Sequence, residues 1–255
     1  QTNSRLLEMY HTEHPTHIAI ELAQEQVGGV IPVFVHFKGA EGQMLEPEVL
    51  TAMKDIETRA RAEPLTGWTA SPASWIGHLH ELLTGEPGLP DSRALAAQEL
   101  LLAEMSGELA IDRVLSDDRA RARIMMISRD EGGREFIRVK RDLESYAAQI
   151  LQGTGVQVEV TGDGILASAG VDQLITDLLK STGLVFAVIL GTMFVLLRDM
   201  RLALIAAIPN LVPLVFIVAT LGLMDAELQT SNIVSFTVAI GLAVDDTIHF
   251  IVRYQ

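Results

Sequence analysis

The stretch Gly241-Leu-Ala-Val-Asp245-Asp246-Thr-Ile-His249-Phe-Ile-Val-Arg253-Tyr254 sets two adjacent carboxylates inside a long apolar run. A carboxylate near the centre of a bilayer is unfavourable by roughly 2.5 to 3.5 kcal/mol on insertion scales, and two in tandem repel one another. Such a pair must be protonated, paired or hydrated. Desolvation of Asp245 and the charge of its neighbour both favour the neutral acid, so this site can load and unload protons. His249 follows Asp245 by four residues and Asp246 by three, so all three side chains can meet on one helix face, where His249 either relays protons toward the cytoplasm or hydrogen-bonds locally near the helix end. The alternative is that the helix ends early and Arg253 and the headgroups wet the acids. Ile248, Phe250, Ile251 and Val252 continue past them and argue against it.

Working outward, composition divides the chain. It is 49% hydrophobic, with mean hydropathy +0.30, yet 20% charged and −14 in net charge. Residues 1–180 hold 16 of the 19 basic and 28 of the 33 acidic residues, so a polar domain precedes an apolar region over 181–255. An acidic domain of this kind lacks the clustered positive face that phosphates require, which sets nucleic acid aside as a partner. With no cysteine there is neither a disulfide framework nor a thiolate metal site.

Three apolar segments, about 181–197, 202–224 and 232–252, each approach the roughly 20 residues that cross hydrocarbon and read as transmembrane helices. The connector Arg198-Asp199-Met200-Arg201 is basic at both ends, Asp225 to Ser231 is acidic and polar, and Arg253 follows the third segment. The positive-inside bias then places 198–201 and Arg253 in the cytoplasm and residues 1–180 on the far side, periplasmic or extracellular. Gln1-Thr-Asn-Ser-Arg-Leu-Leu-Glu is no signal peptide, so the sequence predicts a fragment whose leading helix is missing. In the second segment Pro209-Asn210-Leu-Val-Pro213 frees backbone carbonyls at membrane depth, a hinge or a static kink, with Asn210 hydrogen-bonding a freed carbonyl or a neighbouring helix. Gly241, one turn before Asp245, lets a partner helix approach.

The polar domain reads as strands alternating with helices. Residues 28–38 are β-rich, Pro47 opens an amphipathic helix, and helical patterns follow at 72–83 and 91–106. A strand at 119–128, a helix at 133–151 and a strand at 156–161 complete it. The fold class expected is therefore α+β: an extracytoplasmic ferredoxin-like, split β-α-β porter-type domain followed by an α-helical transmembrane bundle. His11, His14 and His17 recur at a spacing of three, but Pro15 interrupts and no close carboxylate is fixed, so no metal site is assigned. Ser116-Asp117-Asp118 and Asp130-Glu131-Gly132-Gly133 resemble solvated turns, and Trp68 and Trp75 read as packing residues. No nucleophile elbow, phosphate loop or metalloprotease motif is present, which predicts a non-enzyme without a cofactor.

The Gly241-x-x-x-Asp245-Asp246 motif with His249, Arg253 and Tyr254, preceded by Pro209-Asn210-Leu-Val-Pro213 and an exported α/β domain, resembles the resistance-nodulation-division (RND) superfamily. More narrowly, it resembles the predicted-exporter, MMPL-type branch of mycobacterial-type large membrane proteins, whose membrane core is related to the sterol-sensing domain. The resemblance implies a fragment of one repeat half of a proton-motive-force-driven exporter of lipid or other hydrophobic substrates. Asp245 is then the first and Asp246 the second candidate for the coupling acid, and the remainder of the transporter and the lipid bilayer are its partners. A homo-oligomer or a periplasmic partner stays open. The competing class is a non-transporting, sterol-sensing-type sensor or partner-binding protein. An intramembrane aspartyl protease would need a second aspartate on another span, and neither 181–197 nor 202–224 contains one.

Overall fold

A computed structural model describes residues 10–106 and 111–197, together with Val212, Val215, Phe216, Ala219, Thr220 and Leu223. Chain contacts separate a unit over Arg5–Ser168 from a second that takes up the chain at Ala169. The first begins with helix α1, Pro15–Gln26. Pro15 does not interrupt this helix. It opens it, because a proline at the first helical position lacks only an N–H that would be unpaired there, and its fixed φ suits the turn.

Strand β1, Ile31–Lys38, alternates strictly: Ile31, Val33, Val35 and Phe37 are buried, while Pro32, Phe34 and His36 are only partly covered. Strand β3, Arg121–Ser128, does the same with Ala122, Ile124, Met126 and Ser128 inward. The period of two sends alternate side chains to opposite faces, so each strand has one face for a core. Strand β2, Thr66–Ala70, and strand β4, Gln157–Gly162, complete an antiparallel sheet ordered β2-β3-β1-β4. Its register pairs Val35 with Ile124 on one side and with Val160 on the other. β2 escapes the sequence pattern because it has five residues with a glycine inside and a register shift between Thr66 and Trp68.

Two helices cover the inner face. Helix α2, Pro47–Arg61, buries Val49, Leu50, Met53, Ile56 and Ala60, and helix α5, Gly133–Ile150, buries Phe136, Val139, Leu143 and Ala147. Both sets recur at three and four residues, one stripe of a 3.6-residue helix. α2 packs beside β2 and β3, α5 beside β4, and the helices touch each other. Each thus closes a β-α-β crossover, the split β-α-β arrangement. A helical pair, α3 (Pro72–Thr84) and α4 (Arg93–Ser106), is inserted between β2 and β3. α3 starts where Ser71 caps the Ser74 amide, and it stops at Gly85, whose φ of 77° suits a residue without Cβ. Gly28 and Gly67 meet so closely that a Cβ on either would overlap the backbone of the other, and that contact seats β2 against the chain before β1.

Helix α6, Asp163–Leu197, leaves β4 directly. The transmembrane bundle expected from the sequence is corrected here: among the described residues no helix is long and apolar enough to cross a membrane. α6 has 35 residues, but Asp163, Asp172, Asp177 and Lys180 make its first half polar. The uncharged remainder, about 17 residues, extends roughly 25 Å at 1.5 Å per residue, short of a hydrocarbon core of about 30 Å. Apart from the six positions named above, the expected spans 202–224 and 232–252 lie outside the described residues.

Candidate functional site

The residues singled out by sequence for proton transfer and helix movement, Asp245, Asp246, His249, Gly241, Pro209, Asn210 and Pro213, all lie outside the described residues. The described residues include several polar arrangements and a cleft. The histidines at 11, 14 and 17 serve backbone: His11 Nδ1 accepts from the Glu13 amide, His14 caps α1 by accepting from the Thr16 amide, and His17 Nδ1 lies 3.3 Å from the Tyr10 carbonyl. Among the described residues no cluster is arranged to hold a metal ion.

The most enclosed arrangement centres on Glu57, on the inner stripe of α2 and only 2% exposed. Its Oε1 accepts from Thr69 Oγ1 and from Arg61 Nη2, each at 2.9 Å, and its Oε2 accepts from Ser71 Oγ at 2.5 Å and from Ser74 Oγ. Arg61 Nε also donates to Thr69 Oγ1 at 3.0 Å. A buried carboxylate is stable only when such donors replace its water. These donors come from α2, β2 and the first turn of α3, so the network ties the inserted helices to the sheet. A second tie lies between the inserted helices, where His80 Nδ1 meets Glu99 Oε1 at 2.7 Å with both side chains largely buried. His80 pairs with Glu99 while Ser71 and Ser74 bond Glu57 directly, so these serines and this histidine belong to two separate networks.

On the outer face of the sheet, Phe34, His36 and Arg123 are only partly covered. Glu159, His36 and Arg123 stand side by side across β4, β1 and β3, and Arg123 lies 5.1 Å from the Phe34 ring centroid. Partial burial, followed by the Arg123 charge, holds the His36 imidazole below its ordinary value, against an opposing pull from Glu159. His36 is therefore neutral at pH 7. Histidine-resolved NMR should show it titrating below the usual value of about 6.5, and Arg123→Met should move that titration upward. An unmoved titration would show that Arg123 does not act on it. Trp68, at the β2 edge of this face, is 49% exposed, whereas Trp75 packs against the core. The reading of both tryptophans as packing residues thus holds for Trp75 and fails for Trp68. Asp130, read as part of a solvated turn, is 5% exposed.

The cleft, about 340 Å³ in volume, lies between the loop after β1, one side of α4 and the turn before β3. Arg93, Ala97, Leu100, Leu101 and Glu104 of α4 line it at helical spacing, with Glu41, Gly42 and Leu45 on one side and Asp117, Asp118 and Arg119 on the other. Arg119 has a φ of 53°, a left-handed conformation that costs an L residue about 1–2 kcal/mol. It is held there from several directions. Its amide donates to the Ser116 carbonyl, its own carbonyl accepts from the Met44 amide, and its guanidinium donates to Ser116 O and to Glu104. The turn is further fixed to the loop after β1, where the Gly42 amide donates to Asp118 O and the Gly39 amide to Ala120 O. Ser116 Oγ and the Ala120 amide, both donating to Asp118, hold its carboxyl below the usual carboxylate range. Gly42 has φ 73°, a backbone conformation that strains any residue with a Cβ, and it lies directly against the Arg93 guanidinium. Nothing in Ser116-Asp117-Asp118-Arg119 marks it as more than a polar turn, since a glycine is the usual sign of a left-handed position and none is there.

The described molecule is thus an α+β unit with a helix-backed antiparallel sheet, a rigid polar cleft and an appended helix whose Leu184, Val188 and Val195 are exposed. Over residues 19–255 the chain matches the model of the MMPL family, and it belongs to that family, whose members are membrane transporters of hydrophobic substrates rather than enzymes. No curated protein matches it.

Proposed function

We propose that this chain works in a proton-motive-force-driven exporter of lipid or other hydrophobic molecules, with residues 1–180 on the periplasmic or extracellular side and 181–255 forming the membrane-associated part. The observation that carries the reading is the family match, because it runs through the Gly241-x-x-x-Asp245-Asp246 motif to the last residue. The exposed apolar side chains of α6 support membrane association, since contiguous exposed apolar surface marks contact with lipid or with another protein. Asp245 takes up the proton first, Asp246 is the second candidate, and His249 passes it toward the cytoplasm. Neutralising the acid lets the chain repack about Pro209, Asn210 and Pro213, with Gly241 giving a neighbouring helix room to move. The gradient can drive this, because the potential alone supplies about 2.3 kcal/mol per charge per 100 mV, comparable to the gap between two states of a bistable element.

The test is an infrared pH titration of the protonated-carboxyl band in lipid, comparing the native chain with Asp245→Asn and Asp246→Asn. A band that titrates near neutral pH and disappears in one variant is the expected result, and it identifies the carrier. Carboxylates that remain ionised down to ordinary acidic pH would overturn the relay and leave a non-transporting, sterol-sensing-type sensor as the better account.

A further inference from the structure

Two surfaces of the Arg5–Ser168 unit are more apolar than contact with water alone explains. The first is the outer face of the sheet. An antiparallel sheet with one face in water alternates apolar inward and polar outward, and β1 and β3 break that rule at one end. Pro32, Phe34, Met125 and Ile127 stand outward, Trp68 of β2 pairs with Ile127, and none of the five is buried. At the other end of the same face stand Lys38, Arg121 and Arg123, with Glu159 as an acidic neighbour beside His36. Elsewhere in the unit guanidiniums meet carboxylates, Arg59 with Asp142, Arg61 with Glu57 and Arg138 with Glu63. Among the described residues Lys38, Arg121 and Arg123 form no ion pair. The second surface is α4. Its inner side buries Ala96, Glu99, Leu100 and Ala103, yet its outer side carries Ala94, Gln98, Leu101, Leu102 and Met105. Leu101 and Leu102 are each 56% exposed and Met105 is 77% exposed. A helix that is apolar all round is one that is covered all round, and Asp117 and Asp118 lie close to the Leu101 side of this one.

We infer that these two surfaces meet between copies of this chain: α4 of one copy lies along the outer sheet face of the next, with Leu101, Leu102 and Met105 on Phe34, Ile127 and Trp68, and with the acidic turn beside α4 toward Lys38, Arg121 and Arg123. The dimensions agree. α4 has 14 residues and is about 21 Å long at 1.5 Å per residue, and the eight residues of β1 extend about 27 Å. A helix about 10 Å across covers the two central strands, which lie about 4.8 Å apart. Each surface supplies what the other lacks, an apolar bed and the opposite charge. Two sheet faces stacked on one another would instead leave Glu159 to serve the cations of both copies, and two α4 helices would offer those cations nothing. Because the contact joins unlike surfaces, every copy keeps one of each for a further neighbour, so the assembly closes into a ring or continues as a row. It needs no proton relay and does not rest on that reading.

The chain has no cysteine, so introduced thiols report contacts between copies without background from native ones. Two differently tagged full chains, one carrying Trp68→Cys and the other Met105→Cys, are co-expressed, reconstituted in lipid vesicles and treated with a short bismaleimide, and the product bearing both tags is measured. Phe34→Cys with Leu101→Cys is a second pair, so one mismatched register does not decide the result. Both mixed pairs are expected to cross-link several-fold above Ser145→Cys with Met105→Cys, which reports random collision because Ser145 is exposed on α5. Trp68→Cys chains alone should stay at that collision level. Adding Lys38→Glu and Arg121→Glu to the Trp68→Cys chain should return the mixed product to it while the circular dichroism spectrum stays native, and added salt should act in the same direction. Mixed pairs no better than collision would overturn the contact. So would Trp68→Cys chains that cross-link one another as well as they do Met105→Cys chains, since sheet faces would then stack on each other, or a mixed product that the charge reversal leaves unchanged.

Discussion

Replacing Glu57 by alanine is expected to lower the unfolding free energy of the Arg5–Ser168 unit by about 3 kcal/mol, although the position carries a charge. The residue sits on the buried stripe of α2, and four donors converge on it. Removing it strands the hydroxyls of Ser71 and Thr69, which are 0% and 7% exposed, and a buried donor without an acceptor costs about 1–3 kcal/mol. Arg61 contributes differently, because its side chain is 64% exposed and can return to water, so Arg61→Ala should cost less than about 1 kcal/mol. Urea unfolding followed by tryptophan fluorescence reads this unit alone, since the two tryptophans, Trp68 and Trp75, belong to β2 and α3, the elements that Glu57 joins. A Glu57→Ala variant within about 0.5 kcal/mol of native would show that the network does not anchor the inserted helices. Loss of that anchor should also weaken the cleft, since α4, held to α3 through His80 and Glu99, supplies much of its lining.

Phe37→Ala is expected to cost about 3–5 kcal/mol, the range for deleting a buried aromatic ring, because the residue is 1% exposed on the helix-covered face between Ala122 and Val158. Phe34 is three positions earlier on the same strand and points to the other face. Its ring is partly covered by strand neighbours and by Arg123, so Phe34→Ala should cost no more than about half as much. The same fluorescence-detected unfolding measures both. Equal costs would mean that the partial cover of Phe34 encloses its ring as fully as the core encloses Phe37.

Sequence and structure agree where a strong period meets a buried surface. β1, β3, α2 and α5 can each be read from the alternation of Ile31 to Phe37 and Ala122 to Met126, and from the stripes Val49 to Ala60 and Phe136 to Ala147, because the core these residues share selects that pattern. β2 was not legible, since Thr66-Gly-Trp-Thr-Ala has little periodicity of its own and is a strand only through its pairing with β3. The burial of Glu57 was equally hidden. A glutamate four residues before an arginine on a helix normally describes a solvated pair, and the decisive hydroxyls come from residues 12 to 17 positions away.

By itself, the sequence determined the separation of a polar part from an apolar one, the main periodic elements, the absence of any thiol chemistry and the acidic motif at 241–246, because each depends only on residue type and spacing along the chain. Only the tertiary structure decided that four strands order as β2-β3-β1-β4, that Arg119 takes a left-handed turn against Glu104, and that residues from three separate segments enclose a cleft of prevailing negative charge. Those features follow from contacts between distant segments, where a residue's burial and charge partners are set by its neighbours in space and not by its neighbours in sequence.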